Sequence, residues 1–315
     1  VLTCRIDAAS AGRRLDQALA RLLPQFSRGR LQQWIDQGQV LLDGAPGRRR
    51  ARVWGGEEVR VEATEEPRGA CEPEAIPLRI VHEDEDILIV DKPAGLVVHP
   101  AAGNPRGTLQ NALLHHAPEL DRVPRSGIVH RLDKDTTGLL VVAKSLIAHK
   151  SLVEQLQRRT LTREYRALVS GVPVAGGIVD APVGRDPRHR TRMAVVASGR
   201  PAVTRFQVMA RFAAHSLLAV RLETGRTHQI RVHMAHLRHP LVGDRTYGGR
   251  PRPPKGASER LAAALQGFPR QALHALRLGL VHPRSGETMR WQAQMAPDLQ
   301  ALLALLRSET DLGVD

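Results

Sequence analysis

A chain of 315 residues with 42% hydrophobic content is long enough for one large domain and a smaller one, each with a real core. Its 46 Lys and Arg, mostly Arg, against 32 Asp and Glu leave a net charge of +14, so nucleic acid is the first partner to weigh, beside the plainer alternative of a basic, arginine-rich proteome. Cys4 and Cys71 are too few and scattered for a disulfide framework or a zinc site, no apolar run approaches the roughly 18 residues of a membrane span, and the opening "VLTCRIDAAS" lacks the order of a signal peptide; a cytoplasmic protein is expected.

Residues 13–61 read as a compact unit. "RRLDQALARLLPQF" puts Leu15, Leu19 and Leu22 on one helical stripe, and "SRGRLQQWIDQG" repeats the pattern with Leu31, Trp34 and Ile35. Ser27 suits the second helix's N-cap and Gly38 its stop, after which "QVLLDG" and "ARVWGGEEVRVE" suggest short strands. Arg28 and Arg30 fall in the first turn of that helix, where the helix dipole disfavours cations. An RNA phosphate held there by free backbone N–H groups and both arginines would offset that cost; the other reading is a solvated basic helix start. The order of these segments resembles the small S4-like RNA-binding domain shared with a ribosomal small-subunit protein, which favours RNA. "RRRAR", 48–52, would add charge against the RNA backbone, or be a solvated loop.

Residues 62–78, "EATEEPRGACEPEAIPL", are rich in Glu and Pro and read as a linker. From 79 to 305 strand-like runs dominate: "DILIVDKPAGLVVHP", "GLLVVAKS", "LTREYRALVSG", "TRFQVMARF" and "SLLAVRLETG", interrupted by helical stretches such as "AHKSLVEQLQRR". The expected architecture is α+β, with a mixed, mainly antiparallel sheet. Residues 306–315 read as a flexible tail.

Candidate chemistry gathers in three segments. In "IVHRLDKDTTGLLVVAKS" an acid follows a His-Arg pair; a carboxylate beside arginine is either a structural ion pair or an ionised catalytic group, and an extended chain would put Asp133 and Asp135 on one side, so both stay eligible. In "LETGRTHQIRVHMAHLRHPLVGD" a strand ends at Gly225, Thr227 caps a helix, and Ile230, Met234 and Leu237 form its apolar stripe. Arg231 then sits near the helix start, a poor place for an unpaired cation, so a facing carboxylate is expected. His228, His233 and His236 lack the acid or cysteine companions of a metal site. Tyr165 stands mid-strand with Ala167 and Val169 on its face, as core filler or as a platform for a base.

"HRLDKDTTGLLVVAK", "REYRALVSG" and "GRTHQIRVHMAHLRHPLVGDRTYGG" resemble, in the right order, the three signature segments of bacterial ribosomal RNA pseudouridine synthases of the RluA/RluD type. The N-terminal module and "GGRPRPPKGASERL" bring the chain nearest the D-type branch, whose members act on several uridines in one hairpin loop of 23S large-subunit RNA. The resemblance implies that Asp133, not Asp135, is the catalytic aspartate, Tyr165 the base-stacking tyrosine and Arg231 the partner of the aspartate. It also implies that Arg131 pushes into the helix where the uridine leaves, and that Arg226 and His228 join Arg28 and Arg30 as RNA contacts. No cofactor or metal is implied. The implied partner is large-subunit ribosomal RNA or a pre-ribosomal subunit, with no membrane, and the enzyme is expected as a monomer. Thr136-Thr137-Gly138 stands where the family usually has Thr-Ser-Gly; a hydroxyl remains.

Two rival readings stand beside this one. A base-releasing glycosylase would need an activated water, and no second acid is placed by motif to supply one. A pure RNA-binding or assembly factor has no reason to hold Asp133, Tyr165 and Arg231 together in full motifs.

Overall fold

The computed structural model describes residues 2–23, 26, 28–62, 71–101, 103–251 and 253–311. By internal contacts the chain divides into two units, Val1–Ala70 and Cys71–Asp315.

In the first unit, β1 (Leu2–Arg5) precedes α1 (Leu15–Leu22) and α2 (Arg28–Asp36), and β2 (Val40–Leu42), β3 (Ala45–Pro46) and β4 (Glu58–Val61) follow. The strands form an antiparallel sheet in the order β1-β4-β2-β3. Leu15, Leu19, Leu31, Trp34 and Ile35 bury the two helices against Val40, Val59 and Val61, as the leucine spacing predicts. Gly38, at φ 74°, turns the chain so that its N–H reaches Ile35 O at 3.1 Å and the Gln39 N–H reaches Trp34 O at 2.9 Å, a glycine stop of the expected kind. Ser27, the expected N-cap, lies outside the described residues, as do the side chains of Arg28 and Arg30. Two arginines of "RRRAR" are engaged within the unit: Arg49 pairs with Asp36 and donates to Gln32 O at 3.2 Å, and Arg52 donates to Gly12 O.

The second unit begins with β5 (Ile80–Glu83), β6 (Ile87–Lys92), α3 (Leu109–His116), β7 (Thr137–Ala143), α4 (Leu146–Gln157) and β8 (Thr162–Ser170). It continues through β9 (Gly177–Asp180), β10 (Val183–Arg185), β11 (Met193–Val195), β12 (Val203–Arg211), β13 (His215–Leu222) and α5 (Gln229–His236). It ends with α6 (Glu259–Gly267), β14 (Leu273–Val281), β15 (Thr288–Gln292) and α7 (Pro297–Asp311).

Nine of these strands form one sheet in the order β5-β6-β7-β14-β8-β13-β12-β9, with β15 also on β14; β7 and β14 run parallel and the other pairs antiparallel. This is the mixed, mainly antiparallel sheet expected. Both faces of its middle are covered, so the strands there are continuous apolar runs rather than alternating ones. Leu88, Val90, Leu140 and Val142 face one core with α3 and α5, while Ile87, Ile89, Leu139 and Val141 face another with α4. Thr108 and Ser145 start α3 and α4 by accepting hydrogen bonds from the third residue on, Asn111 N and Ala148 N. The parallel seam depends on Gly138, at φ 109°: a Cβ there would lie 2.2 Å from Ala275 O.

Half of the expected linker is held by this unit. The Asn111 side chain donates to Glu72 O at 2.8 Å, the Glu74 N–H donates to Asn111 O at 3.1 Å, and Ile76 and Leu78 pack on the core. Residues 63–70 lie outside the described ones. The tail expected from 306 is helical as far as Asp311, because Leu299, Leu302, Leu303 and Leu306 continue one buried stripe; 312–315 lie outside the described residues.

Candidate active site

Asp133 stands in the loop that leads into β7. Its carbonyl accepts the Thr136 N–H at 3.1 Å, so the segment turns at Lys134 and Asp135 instead of running extended, and the two acids do not share a face. Lys92 at the end of β6 pins this turn from beneath. Fully buried, its Nζ donates to Lys134 O at 2.8 Å, Pro93 O at 2.7 Å and Leu96 O at 3.0 Å. Burial pushes the Lys92 pKa down to about 8 against the opposing pull of Asp135 and Asp133. Asp135 contributes its backbone, accepting from Arg270 Nη1 at 3.1 Å.

Arg231 lies in the first turn of α5 and meets two carboxylates. Nε and Nη2 grip Asp244 at 2.7 and 3.0 Å, and Nη1 reaches Asp133 Oδ2 at 3.1 Å. Burial works against its charge, but Asp244 and Asp133 outweigh burial and hold its pKa above the ordinary arginine value, so the group orients Asp133 as a permanent cation. Asp244 is itself fixed by the N–H groups of Thr246 and Tyr247 at 3.0 and 3.1 Å. The Tyr247 ring lies 5.0 Å from the Arg231 guanidinium carbon.

Tyr165 is buried on the core face of β8 with Ala167 and Val169, between Val220 and Ala275 on the flanking strands. It also lines, with Asp133, a cleft of about 940 Å³. Burial raises its pKa, Arg163 opposing and Asp133 reinforcing, so the phenol keeps its proton. The cleft wall carries Arg125, Arg131, Arg159, Arg163, Arg200 and Arg226, an arrangement that attracts polyanions. Its carboxylates are both engaged: Asp133 by Arg231, Glu223 by Arg205 and Arg159 at 2.5 and 3.1 Å.

Of the residues singled out from sequence, Asp133, Tyr165, Arg131 and Arg226 line this cleft, and Arg231 and His228 join them in an adjoining recess. Arg131 is exposed at its edge, and Arg226 is steadied by Pro201 O at 3.1 Å. His228 corrects the expected helix start: Thr227 is not the cap and the preceding strand stops at Leu222, not Gly225. His228 is the N-cap, left-handed at φ 56°, without a side-chain cap bond; instead Gln229 Oε1 accepts from Arg226 N and Thr224 Oγ1 at 3.0 and 2.7 Å and closes the turn. This places His228 Nε2 3.9 Å from Asp133 Oδ1 and Nδ1 2.7 Å from the Tyr247 hydroxyl. Burial lowers the His228 pKa; Asp133 opposes that and Arg231 adds to it. His233 is a core residue bonded to Thr204 Oγ1 and Ala181 O, and no metal-ligating cluster occurs among the described residues. Arg28 and Arg30 belong to the other unit. Sequence reasoning missed Lys92, Asp244 and Tyr247. The last two lie within a quoted segment, but one facing carboxylate was expected for Arg231, not two.

A mixed sheet with an aspartate, a buried tyrosine and a clamped arginine around an arginine-lined cleft suits an enzyme whose substrate is a polyanion. Residues 86–236 match the family described as RNA pseudouridylate synthase, and residues 13–47 match the S4 domain. The chain belongs to the RNA pseudouridylate synthase family and is an RNA pseudouridine synthase with an N-terminal S4 domain. It is 55% identical over 309 residues to "Ribosomal large subunit pseudouridine synthase D" of Escherichia coli (strain K12), covering 98% of this chain and 95% of that one. It is 52% identical over 315 residues to the protein so described from Pasteurella multocida (strain Pm70), covering 100% and 97%. Among solved structures, "Human RNA Pseudouridylate Synthase Domain Containing 4" is similar at a TM-score of 0.57 and 26% identity over 72% of this chain and 92% of that one.

Proposed function

We propose that this enzyme isomerises several uridines in one hairpin loop of 23S large-subunit ribosomal RNA, with Asp133 as its catalytic aspartate and without a cofactor. The observation that carries the reading is the three-point hold on Arg231, which spends two donors on Asp244 and presents the third to Asp133 beside Tyr165. The relatives' printed descriptions as large-subunit enzymes support the choice of RNA.

The target uridine leaves its stack, which costs a few kcal/mol and is cheapest in a loop. Arg131 fills the gap, Tyr165 stacks on the extruded uracil, and Arg226 and His228 hold the flanking strand. The bond between ribose carbon 1′ and N1 breaks, the uracil turns, and a bond to carbon 5 forms; N1 gains a proton and carbon 5 loses one, with no net redox change. Asp133 begins this by attacking the sugar carbon, attacking the ring or removing the 2′ proton. In the N-terminal module, residues 13–61, Arg28 and Arg30 take RNA phosphates, while residues 79–305 carry out the chemistry. The enzyme works as a monomer in the cytoplasm.

Tritium release from a hairpin labelled at carbon 5 of uridine tests the reaction, and mapping pseudouridine in cells with and without the protein tests the substrate. Loss of large-subunit pseudouridines in its absence is expected. An unchanged large-subunit map beside lost transfer-RNA sites would overturn the substrate assignment.

A further inference from the structure

Five Lys or Arg residues are buried among the described residues. Four are satisfied: Lys92 by three carbonyls, Arg166 by Glu164, Arg231 by two aspartates and Arg270 by Asp298. Arg163, 6% exposed, is the exception. Its side chain makes no hydrogen bond or ion pair with any other described residue, and its Nε is buried without a partner. It stands two residues before Tyr165 on the same face of β8 and lines the same cleft. Neither carboxylate of that cleft is free for it, since Asp133 and Glu223 are held by other arginines. Glu164, the next residue, faces away and is held by Arg166 and Arg277.

Two further features mark the spot. The turn after β13 passes close to this guanidinium at Gly225, where a Cβ would lie 2.9 Å from Arg163 Nη1, so a residue without a side chain leaves the group room. His130, on the same wall, accepts the Val141 N–H at its Nε2, which puts its own proton on Nδ1; that donor is also buried without an acceptor. Burial and the nearby Arg163 push the His130 pKa down to about 3, so the ring is neutral and adds a dipole rather than a charge. An unpaired buried guanidinium costs folding free energy, and an anionic ligand that paired with it would offset that cost.

We infer that the Arg163 guanidinium is a subsite for one phosphodiester of the RNA strand beside the uridine that enters the cleft. A uracil carbonyl would satisfy a hydrogen bond but leave the charge uncompensated, whereas a phosphodiester is the anion that RNA brings. The inference rests on the RNA reading of this cleft and adds a contact to it.

The test uses the full chain with Arg163→Met, which keeps the apolar stem, and Arg163→Lys, which keeps the charge. Arg163→Met should bind a large-subunit hairpin at least about tenfold more weakly at 0.1 M salt, and its log–log salt slope should be shallower by about 0.7 to 0.9. The unfolding temperature of its free form should hold or rise, because the unpaired charge is gone. Arg163→Lys should keep the wild-type slope. A methylphosphonate placed in turn at each phosphate flanking the target uridine should, at one position, weaken the wild type but not Arg163→Met. A lower unfolding temperature with an unchanged slope would make Arg163 a structural pillar and end the proposal. Slower turnover at an unchanged slope would do the same in favour of a contact with the base. Wild-type protein that fails to isomerise the hairpin would refute the ribosomal substrate instead, a result distinguishable from either.

Discussion

At the residue scale, the site assigns different work to groups that look alike in sequence. Asp133 receives Arg231 while Asp135 offers its carbonyl to Arg270. Asp133→Asn should abolish tritium release yet leave hairpin affinity within a few-fold, and Asp135→Asn should turn over near the wild-type rate; the reverse pattern would refute the assignment. Arg231→Lys keeps the charge, but one ammonium cannot span two carboxylates from a fixed planar fork, so single-turnover rates should fall by at least about a hundredfold with the fold retained. Lys92 makes a prediction in pH. With its pKa at about 8 in the folded protein against about 10.4 unfolded, the unfolded chain binds the extra proton between those values, so the Lys92 contribution to stability rises with pH across that window. Below it, that contribution is smaller by about 3 kcal/mol, the cost of keeping the ammonium buried. Urea melts from pH 7.5 to 10.5 should show a shallower rise in Lys92→Met than in the wild type. Turnover should fall as well, since the Asp133 turn loses its anchor.

At the element scale, the seam between β7 and β14 connects the strand that follows Asp133 to the strand beside Tyr165. Backbones approach closely there, and Gly138 is required both by its φ of 109° and by the carbonyl 2.2 Å from where a Cβ would sit. Gly138→Ala should cost about 3 kcal/mol or more in urea unfolding, with loss of turnover in parallel. An unchanged denaturation midpoint would mean that the seam relaxes freely. Neither β14 nor β15 was expected from sequence. "LHALRLGLV" is rich in leucine, which suits helix and strand alike, and its strand identity comes from lying between β7 and β8. The cap of α5 was misplaced for a related reason: Thr227 is a good N-cap by type, but buried Gln229, bonded to Thr204 and Val203 on β12, decides where the helix starts.

At the scale of the whole molecule, each unit has its own core, and the three signature segments lie in the second. Removing residues 1–70 should therefore leave a folded enzyme with weaker activity. Its RNA-binding salt slope should be shallower by about 0.7 to 0.9 for each lost phosphate contact, and it should discriminate less between the ribosomal hairpin and an unrelated stem-loop. An unchanged slope with unchanged discrimination would assign the S4 domain to some other partner.

Sequence by itself determined what depends on near neighbours and on long motifs. The apolar stripes of α1 and α2, the continuous apolar runs of β6 and β7, the two-unit division and the family all follow from residues within a few turns or within one signature segment. The resemblance already paired Asp133 with Arg231, ninety-eight positions away, but tertiary structure alone decided that Asp244 holds the other side of that arginine. It also decided that Lys92 lies under the Asp133 turn and that Arg163 is buried without a partner. Pairings of that kind depend on the order of strands in a nine-stranded sheet. That order is set by the burial of both sheet faces at once, which no local stretch of sequence encodes.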